Sequence, residues 1–306
     1  MPRPLPPELG PVFGVSAARA LGVSHKRLAA SDMHAEFRGS RSVRSAQNRA
    51  PDEFFEAQFA DLVRRCRAYV PVAPAGFRFS HITAARLYGI PLPSEYGRRT
   101  DLDVTVSGGY PPRMKGIIGH RATRQHANVV REMLPVLPAE QVWLQLASVL
   151  DLDDLIVAGD HLVRRKRPVS SMAQHAAAVG EASGVPGIKR ARDALLEIRP
   201  GTDSPMESRM RLTIVRAGLP EPVIRHTVYF EGYFVGTPDL AYVRERVALD
   251  FDGQLHLTDE RVYLDDVERR ALFEDADWRY LTITKNHLRV PRSFLARLDR
   301  LLSERG

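Results

Sequence analysis

Apolar and polar positions over the C-terminal third follow a readable order. From 205 to 217 the apolar residues recur at helical spacing, Ser204 stands where an N-cap belongs, and Gly218 stops the run. Strand-like runs follow at 223–230, 233–242 and 247–251, divided by Glu231-Gly232 and Arg244-Glu245-Arg246. A charged amphipathic helix is predicted from about 259 to 275, a strand over 278–284, and a last helix from 292 to about 302. The order is αβββαβα, an α/β arrangement.

The first two-thirds divides into smaller pieces. Residues 1–45 predict a winged helix-turn-helix. An Ala-rich helix spans 16–21, Gly22-Val23-Ser24 forms the turn, a second helix capped by Ser24 runs to about 31, and a β-prone wing covers 37–44. Residues 46–168 predict a mixed α/β domain: a helix over 52–69, a short helix over 80–89 closed by glycine, strands at 102–106 and 115–120, and one long helix over 139–157. A linker and helix occupy 169–202. It opens after the basic run Arg164-Arg165-Lys166-Arg167-Pro168, and its small, polar stretch 169–186 reads as connection. Residues 203–306 form the last domain.

Composition excludes several classes. No apolar run is long enough for a bilayer span and no signal-peptide core follows Met1-Pro2-Arg3-Pro4, so the expected compartment is the cytoplasm, away from membranes. Cys66 is the only cysteine, which rules out an intrachain disulfide and a thiolate zinc cluster. The net charge of +7 is unevenly spread. Residues 1–168 carry 24 Lys and Arg against 16 Asp and Glu, and the rest of the chain is one charge negative. A basic N-terminal part suits a polyanion such as duplex DNA. In a helix-turn-helix the second helix enters the major groove, so Ser24, His25, Lys26 and Arg27 are the expected base-reading and backbone contacts, with Arg38 and Arg41 of the wing on phosphate. A small solvated helical pair is the plainer reading of the same residues. A dimer follows if the module reads palindromes.

Candidate chemistry concentrates in the acids Glu207, Asp239, Asp250 and Asp252. An acid in an apolar strand is costly unless its charge is compensated. With no run of Lys or Arg beside them, a divalent cation is the expected compensation, and oxygen-only ligands favour Mg²⁺ or Mn²⁺. Asp250 and Asp252 alternate on one strand face while Phe251 points to the core. Ser204-x-x-Glu207 is equally a capping box, which by itself explains Glu207. Asp266 and Arg269, one turn apart, read as a surface ion pair.

Ser204-Pro205-x-Glu207, Gly218-Leu219-Pro220, Pro238-Asp239, Asp250-x-Asp252-Gly253-x-x-His256 and Asp277-Trp278-Arg279-Tyr280-Leu281 together resemble the PD-(D/E)XK endonuclease superfamily, and most closely its very-short-patch-repair-like branch. The resemblance implies a Mg²⁺- or Mn²⁺-dependent DNA endonuclease. Asp239 and Asp250 would be its metal ligands, Glu207 and Asp252 would assist, and His256 would be a base or phosphate contact unless it is merely a turn residue. It also shows two departures: Asp252 stands where the superfamily has lysine, and Thr282 where the branch commonly has arginine. These keep open a DNA-binding regulator whose nuclease fold is degenerate, and a C-terminal domain that binds a partner protein. Ser80-His81-x-x-Ala84-Ala85-x-Leu87-x-Gly89-Ile90-Pro91, the strand 101–106 and the segment 158–165 resemble the C-terminal region of AbiEi-type antitoxins, implying a toxin–antitoxin or defence-system partner. Asp101-Leu102-Asp103 matches the Asp-x-Asp of nucleotidyltransferases, but the nearest Gly-Ser lies far away at Gly39-Ser40. A solvent-facing strand edge is expected there instead.

Overall fold

The computed structural model describes residues 4–43, 54–122, 124–252 and 260–306, and within these the side chains other than those of 54–55 and 260–266. The fold is mixed α/β and divides into two compact units, residues 1–149 with 183–187, and residues 150–182 with 188–306. Among the described residues no helix is long and apolar enough to cross a membrane.

The first unit opens with β1 (Val12–Gly14), α1 (Val15–Ala20), α2 (His25–Leu28), β2 (Met33–His34) and β3 (Ser40–Val43), the strands pairing antiparallel in the order β1-β3-β2. Leu9, Phe13, Ala18, Leu28 and Met33 form its small core. The second helix is shorter than its pattern predicts. Ser24 caps it as expected, its Oγ accepting from the Arg27 N–H at 3.3 Å. Then come α3 (Phe54–Tyr69), β4 (Arg78–Phe79), α4 (His81–Leu87), α5 (Ser94–Gly97), β5 (Leu102–Val106), β6 (Arg113–Met114), β7 (Ile117–Arg121), β8 (Val129–Arg131), β9 (Leu134–Val136) and α6 (Ala139–Leu146). The strands make one sheet in the order β6-β7-β5-β4-β9-β8. Burial of all five β5 residues follows from its place between β7 and β4. Asp103 is therefore buried, with 1% of its surface exposed, and not on a solvent-facing edge. Strand β5 has a neighbour on each side, and α4 packs against it. Cys66 is also buried, and its desolvation pushes the thiol pKa up, leaving an unreactive side chain.

The second unit contains α7 (Leu152–Leu162), α8 (Met172–Glu181), α9 (Ile188–Glu197), α10 (Pro205–Arg216), β10 (Val223–Ile224), β11 (Val228–Phe230), β12 (Tyr233–Gly236), β13 (Leu240–Tyr242), β14 (Val247–Asp252), α11 (Glu260–Asp275), β15 (Arg279–Thr284), α12 (Lys285–Arg289) and α13 (Arg292–Arg305). The single helix expected over 139–157 is two helices, because Asp151 leaves helical geometry and its carboxylate caps a new one, accepting from the Asp154 N–H at 2.7 Å. The stretch 169–186, expected to be connection, holds α8. Ser171 caps it, and it buries His175, Ala178 and Val179. The long strand runs at 223–230 and 233–242 each break in two. Arg225 adopts φ +52° between β10 and β11, and Pro238, which has no N–H to give a ladder, separates β12 from β13.

The resulting four-stranded sheet runs β10-β13-β14-β15, antiparallel except for the parallel pair β14–β15. Leu249, Leu281, Ile283, Met210, Ile214, Phe294 and Leu298 fill one face, under α10 and α13. Ala241, Ala248, Phe273 and Trp278 fill the other, under α11 and the β11–β12 hairpin. A buried ion pair ties the helices together. Arg211 of α10, 1% exposed, donates to Asp160 of α7 at 3.2 Å, to Glu221 at 2.8 Å and to the Glu197 carbonyl at 2.9 Å, while the Arg199 N–H donates to the other Asp160 oxygen. Removing one partner of such a pair leaves a buried charge alone. Arg211→Met is expected to lower unfolding free energy by about 3–5 kcal/mol in urea melts, and Asp160→Asn in the same chain to recover part of that loss. Equal stability of Arg211→Met and wild type would refute the assignment.

Candidate active site

Strands β13 and β14 set the geometry. Leu240 pairs with Leu249, so Asp239, one residue before β13, lies beside Asp250. The Asp239 N–H donates to Asp250 Oδ1 at 2.6 Å, and the Phe251 N–H donates to Asp239 Oδ2 at 2.8 Å. Each carboxylate thus accepts a backbone hydrogen bond at the other's strand. Asp250 and Asp252 point to the α11 face and Phe251 to the opposite core, as the alternation of the strand requires.

Glu207 sits in the first turn of α10 and is 5% exposed. Its N–H donates to Ser204 Oγ, and its Oε2 accepts from the Asp203 N–H at 2.9 Å, so it acts as a helix-end residue one position displaced from a standard capping box. It is also close enough to Asp239 to act on its ionisation. Burial, the charge of Asp250 and the charge of Glu207 together push the Asp239 carboxyl up to about 7, against a smaller opposing effect of the Phe251 N–H and Arg225. Asp239 Oδ1 has no hydrogen-bond partner among the described residues.

The expectation that no basic residue compensates these acids is corrected by α11. The Arg269 guanidinium bonds Asp250 Oδ2 at 2.8 and 2.9 Å, the Tyr280 hydroxyl at 3.1 Å and the Thr237 carbonyl at 3.1 Å. The Tyr280 hydroxyl also donates to Asp250 Oδ2. Burial and the neighbouring carboxylate push its pKa upward, so it remains a donor. Arg269 is therefore part of the site; the side chain of Asp266, its expected partner, lies outside the described residues. Next to it Arg270 donates to Thr282 Oγ1 at 3.3 Å, and Thr282 is the β15 residue level with Asp250. Positive charge thus reaches the strand ends from α11. Two consecutive arginines on a helix facing the acidic strands were the available signal in the sequence. Asp252 is half-buried and level with Thr284 of β15; His256 lies outside the described residues.

The six residues expected on DNA fall into two groups. His25, Lys26 and Arg38 are exposed. Ser24, Arg27 and Arg41 are engaged within the fold: Ser24 as the cap, Arg27 in a bidentate pair with Asp32 at 2.7 and 2.8 Å, and Arg41 on the Leu28 and Ser40 carbonyls. Comparison of the chain with family models, curated proteins and solved structures finds no match.

The raised Asp239 pKa has a pH signature. Its folded value lies above the unfolded one, so its favourable contribution is complete below pH ~4 and is lost as pH rises through about 7. In metal-free buffer Asp239→Asn is expected to remove this decline, stabilising the protein at pH 8 by on the order of 2–4 kcal/mol relative to wild type and by little at pH 4. Parallel stability–pH curves for the two proteins in urea unfolding would contradict it.

Proposed function

We propose that the second unit carries a metal-dependent DNA endonuclease centre of the PD-(D/E)XK type. The observation behind this reading is the pairing of Asp239 and Asp250 on adjacent strand ends, with Glu207 close by and Asp239 lacking an adequate counter-charge. Residues 203–306 hold the helix, strands, helix, strand and helices that the resemblance implies in that sequence, with five short strands rather than three before α11 and with α12 added after β15. The oxygen donors suit a hard divalent cation: an Asp239 oxygen has no described partner, and Asp250 and Glu207 raise the cost of ionising Asp239. Asp239 and Asp250 would hold Mg²⁺ or Mn²⁺, with Glu207 and Asp252 beside them. Such an ion supplies charge neutralisation and an activated water for phosphodiester hydrolysis. Arg269 orients Asp250 through Oδ2 and brings to the site the positive charge that Asp252 cannot supply.

Residues 1–45 are read as a winged helix-turn-helix for duplex DNA, with His25, Lys26 and Arg38 as the available contacts and Arg27 and Arg41 as structural members. Replacing all three contacts by alanine is expected to weaken DNA binding and to flatten its salt dependence by up to about three units of slope. Undiminished binding in gel-shift titrations across salt would remove this role.

A second reading has its own support. Arg269 and Tyr280 already satisfy Asp250 Oδ2, as expected if an internal cation has replaced the metal in a DNA-binding regulator or antitoxin-like protein. Supercoiled plasmid incubated with Mg²⁺, Mn²⁺ or EDTA separates the two. The endonuclease predicts metal-dependent nicking or linearisation by wild type and its loss in Asp239→Ala, with DNA binding unchanged. The regulator predicts equal DNA retardation by both proteins and no cleavage with either ion.

A further inference from the structure

A second cluster lies in the first unit, on the face of β5 and β7 next to α4. One ring nitrogen of His81, one of His120 and a carboxylate oxygen of Asp103 all lie within 4.8 Å of one another. Strand register makes the grouping: Thr105 of β5 is level with His120 of β7, so Asp103, Thr105 and His120 share a face, and His81 enters from the start of α4. Asp103 is 1% exposed, and its Oδ1 accepts from His120 Nε2 at 2.9 Å and Arg99 at 3.0 Å. Its Oδ2 is buried with no hydrogen-bond partner, as is Thr105 Oγ1 on the same face. A carboxylate oxygen left unpaired in the interior costs free energy that a bound cation would offset.

His81 is held in place at some conformational cost. Its φ is +46°, a region non-glycine residues rarely occupy, and the strain is fixed by the Gln145 side chain, which accepts from the His81 N–H at 2.9 Å. Ser80 Oγ lies 3.0 Å from His81 Nδ1, leaving Nε2 as the available donor atom.

We propose that His81, Asp103 and His120 form a binding site for a borderline divalent transition ion of the zinc class, held by two imidazole nitrogens and Asp103 Oδ2. Two imidazoles and one carboxylate favour such an ion over Mg²⁺. Three protein ligands leave a coordination position for water or a substrate oxygen. Atoms bound to one ion at ~2.1 Å stand about 3–3.4 Å apart, and the three ligand groups already lie within 4.8 Å of one another. Ligation through His120 Nε2 needs the lone pair of that nitrogen, so the imidazole binds as the tautomer whose proton is on Nδ1, and its hydrogen bond to Asp103 Oδ1 is given up. The two rings are stacked at 3.7 Å and 19°, so binding also turns one of them, and His120, with 28% of its side chain exposed, has the room to do so.

The test uses the full chain carrying Asp239→Asn and Asp250→Asn, so that the acidic strand pair cannot contribute. The protein is loaded with Zn²⁺ and desalted, retained zinc is measured, and X-ray absorption is recorded at the zinc edge. The site predicts about one zinc per chain with imidazole scattering in its shell. It also predicts loss of most of that zinc in His81→Asn, chosen because asparagine tolerates positive φ, and in His120→Gln. Unfolding midpoints in EDTA check that both variants fold, and if they do not, the absorption spectrum decides alone. No retained zinc, an all-oxygen shell, or undiminished zinc in a folded His120→Gln variant would overturn the proposal.

Discussion

The cost of holding a carboxylate out of water shapes each place in this protein where chemistry is conceivable. Three aspartates illustrate it. Asp160 is fully buried and partnered on both oxygens, by a buried arginine on one and a backbone N–H on the other, with three helices around the pair, although burial still pushes its carboxyl up. Asp103 is answered on one oxygen only, by His120 and Arg99. Asp239 is answered least, by one backbone N–H and the weaker effect of the Arg225 charge, with two carboxylates pressing against it. The three acids differ in how completely the loss of solvation is compensated, and the incomplete cases are where a cation has most to gain by binding.

The sheet of the second unit decides which acids meet. Antiparallel pairing of β13 and β14 fixes Asp239 opposite Asp250, and parallel pairing of β14 and β15 brings Thr282 and Thr284 level with the two strand aspartates. Pro238 ends one strand direction just before Asp239, which frees its carboxylate to reach back to the Phe251 amide. The hydrophobic faces on either side of the sheet hold α10 and α11 against it, and these helices deliver Glu207 from one face and Arg269 from the other. A carboxylate cluster with a guanidinium at its edge is thus a direct consequence of strand register and two helix-packing faces.

Much of this was legible in the chain. Alternation gave the shared face of Asp250 and Asp252, Ser204 and Ser24 were correctly placed as caps, and the positions of α10, β14, α11, β15 and α13 needed only period and punctuation, although two expected strands are each broken in two and α12 was not expected. The missed features have physical causes. Asp151 interrupts a continuous helical pattern because a capping carboxylate outcompetes propensity locally, and α8 is built of small residues whose weak amphipathicity resembles a linker. The bond from Arg269 to Asp250 was missed because the turn-spaced Asp266 offered a local partner in sequence, whereas Asp250 is nineteen positions away across a packing interface. The burial of Asp103 was missed for a similar reason: whether a strand is central or at an edge depends on non-local pairing, which a five-residue pattern does not contain.

The account rests on Asp239 being a carboxyl that no group in the protein adequately neutralises. Carbon-detected NMR titration of that side chain, assigned by its absence in Asp239→Asn, measures this directly. Without divalent ions it is predicted to titrate at about 7, and with saturating Mg²⁺ to move down towards the ordinary carboxylate range. Titration near ~4 in both conditions would contradict the account, because Asp239 would then be an ordinary surface-like acid with no deficit for a cation to fill.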